Sequence, residues 1–263
     1  MGKYLEYFRI SFLNIFAYRA RYYVGIITYL IYIAIYYYIW KAIYANAAQI
    51  DSFSLADMTT YVAIGWISRS FFFNNLDRDM EQKVVDGSLS MDLLKPVDFQ
   101  GMIYAKAFGE SLFRFALFAL PTGVVAAFLF PIAAPVSIAG ALGFLASTLL
   151  AAVIYVNINF MVGTLAIPLK NIEGIVHAKQ SILLFLSGLL IPFAMLPEGI
   201  AALLKVLPFA GISYVPLNIY LGKVSGTEIA VALSGQAAWA VALLVASRVM
   251  WNHYTRRIVI QGG

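Results

Sequence analysis

Few residues of this chain could carry out catalysis or hold a metal ion. The sequence has no cysteine and two histidines, and His177 and His253 are too far apart in sequence to indicate a metal centre. No phosphate-binding loop of the form G-x-x-x-x-G-K-[ST] occurs, so the chain is not expected to hydrolyse ATP by itself. We therefore predict no catalytic residue, no metal site and no cofactor bound by this chain.

Several polar and aromatic side chains could still serve transport. Glu110 and Arg114 are spaced i, i+4 within an apolar stretch, where ionisable residues often mark function. Because the two can neutralise each other on one helix face, a structural role is favoured. Asn157 and Asn159 are expected to be hydrogen-bond partners between helices. Aromatic candidates for a path taken by an amphiphile, with packing as the alternative, are Trp66, Phe71, Phe72, Phe73 and Phe185.

The composition indicates which elements must position these residues. The chain of 263 residues is 62% hydrophobic and 12% charged, with a mean hydropathy of +0.82, whereas a soluble domain is about 25% charged. Too few polar side chains are present to cover a surface that faces water. The basic residues lie at the ends of apolar runs and form no stripe, so no nucleic-acid partner is expected. The predicted fold class is an all-α integral membrane protein.

Apolar runs divide the chain into one interfacial helix and six transmembrane helices. Residues 3–19 are amphipathic, with Tyr4, Leu5, Phe8 and Phe12 on one face, and are expected to lie in the membrane interface. The predicted spans, judged by the length needed to cross a bilayer, are residues 22–44, 58–74, 104–130, 136–168, 181–196 and 228–251.

The apolar region after residue 180 is too long for one crossing and is interrupted by prolines. Proline removes a backbone donor and clashes with the preceding turn, so the fifth span is predicted to end near residue 196. Residues 197–221 are then expected to form external re-entrant helices, which membrane depth permits only where the backbone is buried in protein or faces a water-filled cavity. The prolines are Pro192, Pro197, Pro208 and Pro216.

The distribution of basic residues predicts that both termini are cytoplasmic. Cytoplasmic segments carry the excess of Lys and Arg in membrane proteins. Of the 18 Lys and Arg residues, this orientation places thirteen inside and three outside, and it leaves Arg69 and Arg114 within spans near the inner side. The three outside residues are Lys41, Lys205 and Lys223.

The loop between the second and third spans, residues 77–98, belongs to the most charged stretch of the chain. Asp86-Gly87-Ser88 predicts a turn or helix cap, followed by a short amphipathic helix that ends at Lys95-Pro96. Such a helix on the inner face is suited to docking into a groove of a cytoplasmic partner, and a solvated connecting loop is the alternative. Its apolar residues are Leu89, Met91, Leu93 and Leu94.

Taken in order, these elements resemble the ABC-2 type transporter permease family. That family combines an interfacial N-terminal helix, six spans, a coupling helix between spans two and three, and a fifth region broken by prolines. The resemblance covers essentially the whole chain. The loop sequence DGSLSMDLLKPVD, the segment SGLLIPFAMLPEGI and the C-terminal IQGG are similar to the small bacterial branch of the family.

This resemblance implies a membrane-spanning subunit of an ATP-binding cassette exporter. Two permease subunits, identical or different, would pack around a path lined mainly by spans two and five, in the lipid of the bacterial cytoplasmic (inner) membrane. Two cytoplasmic ATPase subunits, which hold the ATP and Mg²⁺, would dock on the loop at residues 77–98. The docking residues that the resemblance implies are Glu81, Asp86, Leu89, Leu93, Leu94, Lys95 and Pro96.

The residues themselves leave two other functions open. A secondary transporter or channel that works without ATP usually needs acidic or histidine residues near the membrane midplane, and Glu110 is the only acid well inside a predicted span. A membrane enzyme would need a nucleophile–base pair or a cluster of metal ligands. The nearly uncharged, aromatic-rich spans favour an amphiphilic or lipid-like substrate.

Overall fold

Helices account for nearly all regular structure in residues 2–16 and 19–256, which the computed structural model describes, with side chains for all of these except residues 14–23. The C-terminal IQGG sequence lies outside the described residues. A hairpin joins two short strands, β1 (Gln49–Ile50) and β2 (Phe53–Ser54). The helices are α1 (Gly2–Phe16), α2 (Arg19–Ile43), α3 (Leu55–Phe72), α4 (Leu76–Val85), α5 (Ser88–Leu93), α6 (Phe99–Arg114), α7 (Leu120–Leu129), α8 (Ile138–Thr164), α9 (Ala166–Leu169), α10 (Glu173–Leu186), α11 (Glu198–Val206), α12 (Tyr214–Tyr220) and α13 (Thr227–Thr255).

Four helical segments of the described chain are long and apolar enough to cross a membrane. They are Val24–Asn46, Phe99–Leu129, Ile138–Leu169 and Thr227–Thr255, and they coincide with the predicted first, third, fourth and sixth spans. The predicted second and fifth spans overlap shorter helices, α3 of 18 residues and α10 of 14 residues. The predicted helical class is confirmed, and length and composition identify four of the six predicted spans.

The segment from Phe99 to Leu129 is one continuous helix with a π-helical turn at residues 115–119. It begins at Phe99 because the Asp98 carboxylate caps it, accepting a hydrogen bond from Gly101 N at 2.8 Å. Pro121 follows the π-helical turn. Since proline has no N–H to donate to the preceding turn, a local change of helical register just before it accommodates the missing hydrogen bond.

The proline-rich region after α10 forms a bend and short helices. α10 begins at Glu173 and ends at Leu186, so it starts and stops earlier in the chain than the predicted fifth span of residues 181–196. Gly188 then adopts a φ of +75°, which favours glycine, and its carbonyl accepts a hydrogen bond from Tyr61 Oη at 2.6 Å. Beyond this bend the chain forms α11, α12 and 3₁₀ turns at 193–195 and 208–211, and the first of these turns lies inside the predicted fifth span, residues 181–196.

α8 packs against α4, α12 and α13. Small residues allow this close approach, since a Cβ added to Gly143 would lie 2.9 Å from Ile229 of α13. The Asn157 side-chain oxygen accepts hydrogen bonds from Tyr104 Oη at 2.6 Å and Ser247 Oγ at 3.0 Å. These bonds join α8 to α6 and α13, which confirms the predicted interhelical role of Asn157.

α1 lies along α6. Phe12 contacts Phe113 edge to face, with 5.6 Å between ring centroids. Gly109 permits the close approach, because a Cβ added there would lie 2.3 Å from the Phe8 carbonyl oxygen. Part of the predicted amphipathic face therefore packs on protein, whereas Leu5 on the same face is exposed.

Candidate functional site

The loop that joins α3 to α6 folds into α4 and α5 with a tight turn between them. Gly87 in this turn has a φ of +77°, which glycine adopts without a Cβ clash. The Asp86 carboxylate accepts a hydrogen bond from Ser88 N at 2.9 Å, and hydrogen bonding to Ser88 lowers the pKa of Asp86. The short helix predicted after Asp86-Gly87-Ser88 is thus present as α5.

Asp92 fixes α5 against the rest of the loop. Its buried carboxylate accepts hydrogen bonds from Lys83 Nζ at 2.8 Å and Lys95 Nζ at 2.6 Å. Burial by itself would raise the pKa of Asp92, but the two lysines more than offset burial and hold that pKa below its usual range. One carboxylate therefore joins α4, α5 and the end of the loop.

The variant Asp92→Asn should destabilise the chain by about 1–2 kcal/mol at about pH 7, because it removes two charge-assisted hydrogen bonds that are partly open to solvent. The pKa of Asp92 is lower in the folded chain than in the unfolded chain. The stabilisation is therefore present above the ordinary Asp pKa of about 3.9 and is lost as the pH falls through the folded value. Thermal melts in mild detergent should show a difference between wild type and variant that shrinks toward about pH 3. A difference that is the same at both pH values would contradict this role.

The loop exposes four large apolar side chains. Leu94 is 82% exposed and Met91 is 70% exposed, and Val85 and Leu93 are exposed as well. We name Val85, Met91, Leu93 and Leu94 the docking surface, after the partner contact that was predicted for this loop. Exposed apolar groups collected on one short segment commonly mark a contact with another protein.

Leu89 and Glu81 make contacts inside this chain, although both were predicted to contact a partner. Leu89 is 6% exposed and belongs to the apolar core beneath the loop, because one face of an amphipathic helix turns inward. The Glu81 carboxylate accepts a hydrogen bond from Ile172 N at 2.8 Å, which satisfies a backbone donor at the start of α10. Asp86 is exposed. Met91, absent from the predicted set, takes the outward position on α5.

Both described ends of the chain adjoin the exit of the loop. Lys3 Nζ of α1 donates a hydrogen bond to the Pro96 carbonyl at 3.5 Å, and Asp98 N donates to Tyr4 Oη at 3.1 Å. Arg248, near the end of α13, donates to the Asp98 carboxylate at 2.5 Å. The loop, α1 and the last turns of α13 therefore lie on the same side of the molecule.

The aromatic residues predicted to line a path lie in separate surroundings. Phe71 lines an almost wholly apolar cleft of about 470 Å³ between α1, α3, α8 and the segment from Phe99 to Leu129. Phe73 lines a different cavity, together with charged residues of α4 and α6. The remaining three are the buried Trp66 and Phe72 and the exposed Phe185 of α10.

Glu110 and Arg114 form an ion pair on α6. Arg114 donates two hydrogen bonds to Glu110 Oε1, at 2.6 Å from Nη2 and 2.9 Å from Nε. Both side chains are partly buried and line the cavity that contains Phe73. The i, i+4 spacing thus places two opposite charges in direct contact within an apolar segment.

Comparison with known proteins identifies the family of this architecture. A family model described as ABC-2 family transporter protein matches residues 30–262, which include the docking surface, α10 and α13. No match to the chain was found among curated proteins. Members of the matched family are the permease components of ABC transporters, non-catalytic subunits that work with separate ATPases. With this match over most of its length, the chain belongs to the ABC-2 transporter membrane family.

Proposed function

We propose that this chain is the membrane-spanning subunit of an ATP-driven exporter and that a cytoplasmic ATPase binds its docking surface. The exposure of Met91 and Leu94 on a loop held by Asp92 carries the proposal. A short helix with one apolar outer face suits insertion into a groove of a partner protein. Two ATPase subunits would hold the ATP and Mg²⁺, and this chain would bind neither.

The docking surface is proposed to face the cytoplasm together with both termini. The contacts of Lys3 with Pro96 and of Arg248 with Asp98 support this orientation, because they bring α1 and the end of α13 to the loop. The excess of basic residues in the same segments supports it too. The membrane would be the cytoplasmic membrane of a bacterium.

Six crossings agree with this orientation, because an even number of crossings returns the chain to the side on which it began. α3 and α10 would then be the second and fifth crossings. At 1.5 Å per residue, the 18 residues of α3 extend about 27 Å, close to the bilayer core of about 30 Å. The 14 residues of α10 extend about 21 Å, and the bend at Gly188 would complete the crossing. α11 and α12 would re-enter from the external side.

A second permease subunit, identical or different, is proposed to complete the translocation path. Phe185, which this chain leaves 66% exposed on α10, would face that path. The apolar cleft beside Phe71 supports an amphiphilic or lipid-like substrate. ATP would drive export through its different affinity for the states that it links.

Purification of the chain with the ATPase encoded beside its gene tests the proposal. We expect a complex that is stable in mild detergent, hydrolyses ATP and moves an amphiphile in proteoliposomes only when ATP is present. A chain that purifies without an ATPase and transports along an ion gradient in the absence of ATP would instead be a secondary transporter or channel, and would contradict the proposal.

A further inference from the structure

A buried ion pair joins α4, which ends at the docking surface, to α10. Lys179 Nζ donates a hydrogen bond to the Asp77 carboxylate, and the two side chains are 6% and 1% exposed. Lys179 also donates to Asn159 Oδ1 of α8 at 2.6 Å, and Asn159 Nδ2 donates to Asn74 Oδ1 at 2.8 Å. This polar network connects the junction of α3 and α4 with α8 and α10.

Two further contacts hold α4 against the start of α10. Arg78 donates hydrogen bonds to both carboxylate oxygens of Glu173, at 2.7 Å and 3.2 Å. Glu81 accepts the hydrogen bond from Ile172 N. Because Asp77, Arg78 and Glu81 lie within about one turn of α4, that turn binds α10 at three places.

The two ion pairs between α4 and α10 differ in their exposure to water. The exposed pair of Arg78 and Glu173 is weakened by water and salt. The pair of Asp77 and Lys179 is shielded, yet removing two charges from water costs free energy that their attraction often fails to recover. A buried pair is therefore weak evidence for stability, and its defined partners are better suited to holding two helices in one arrangement.

We propose that Asp77 and Lys179 are positioning residues that make α4 and α10 move as one body when the ATPase changes its nucleotide state. The inference rests on the proposed function, since the ATPase would act on the docking surface at the end of α4. α10 leads into the bend at Gly188, where Tyr61 of α3 binds the backbone. A displacement of α4 would thereby reach the short helices beyond the bend.

A fluorescent label on α10 tests this coupling in the complex with the ATPase. The chain has no cysteine, so Ile182→Cys at an exposed position takes a single bimane label. Trapping the ATPase with ATP and vanadate should shift the bimane emission in the otherwise unchanged chain. The paired variant Asp77→Asn with Lys179→Gln should lose at least half of that shift while it still binds the ATPase.

Two matched variants separate coupling from folding. The charge-reversed variant, Asp77→Lys with Lys179→Asp, should keep the shift, because the Asn159 side chain can present either its donor or its acceptor to the exchanged partner. Arg78→Gln with Glu173→Gln, which removes the exposed pair between the same helices, should also keep it. A full shift in the Asp77→Asn, Lys179→Gln variant would overturn the inference, as would the absence of a shift in the labelled wild type with bound ATPase. Failure of the wild type to bind any ATPase would overturn the proposed function itself.

A distance measurement tests the same inference without changing the ion pair. Spin labels on Gln82→Cys of α4 and Ile182→Cys of α10 report the separation of the two helices by electron paramagnetic resonance. That separation should be the same in the nucleotide-free complex and in the complex trapped with ATP and vanadate. A change in the distance distribution on trapping would show that the helices move independently and would overturn the inference.

Discussion

The double variant Met91→Asp with Leu94→Asp should bind its ATPase much more weakly than the wild type in mild detergent. Both side chains are exposed in the isolated chain and would be buried in the complex. Burial of a large apolar side chain contributes about 1.5–3 kcal/mol, and a buried, unpaired carboxylate adds a desolvation penalty. The dissociation constant should therefore rise at least about 100-fold, which surface plasmon resonance with the purified ATPase would measure.

A control variant with two new carboxylates elsewhere separates loss of the docking surface from a general effect of charge. Asn171→Asp with Gly174→Asp changes two exposed positions at the start of α10, where a Cβ on Gly174 meets no neighbour and negative charge is favourable. This variant should bind the ATPase as the wild type does. Equal binding by the Met91→Asp, Leu94→Asp variant, with an unchanged melting temperature, would show that the ATPase binds elsewhere.

The single variant Lys179→Met should be strongly destabilised, by about 3–5 kcal/mol, because it leaves a buried carboxylate without its counter-ion. Asp77 is almost fully buried. Among the described residues, its carboxylate accepts hydrogen bonds from Lys179 Nζ and from the backbone N–H of Arg78, and from no second lysine. The apparent melting temperature in mild detergent should fall by several degrees, and the yield of inserted protein should fall with it.

The variant that replaces both partners, Asp77→Asn with Lys179→Gln, should recover most of this loss. Removing one partner of a buried ion pair costs far more than replacing both with neutral side chains of similar size. The glutamine of this variant can also donate a hydrogen bond to Asn159 Oδ1, as Lys179 does. If Lys179→Met melted at the temperature of the wild type, the carboxylate of Asp77 would have to be hydrated or otherwise paired, in contradiction to its burial in the structure.

Local features of the sequence were enough to predict the helical class and much of the loop. In a bilayer every backbone donor and acceptor must be satisfied internally, so long apolar runs have to form helices. The turn at Asp86-Gly87-Ser88 and the short helix after it depend on residues close together in the chain, where Gly87 permits a positive φ. The prolines after residue 190 likewise predicted interrupted helices, because their effect is on the preceding turn.

The surroundings of individual side chains could not be predicted from local features of the sequence. The pattern Leu89, Met91, Leu93, Leu94 indicates an amphipathic helix, but which face is buried depends on the core beneath it. That core includes Phe99 and Trp251, which belong to α6 and α13. The tertiary structure therefore decided that Leu89 packs inside and that Met91 and Leu94 form the outer surface.

The sequence by itself determined that the chain is a helical membrane protein with a charged, helical loop between apolar segments, since hydropathy, turn residues and prolines act over a few neighbouring positions. Only the tertiary structure decided that α10 begins at Glu173 and that Lys179, 102 residues beyond Asp77, pairs with it. No local pattern marks such a pair, because each charge becomes a partner only when two distant helices pack together and exclude water from both.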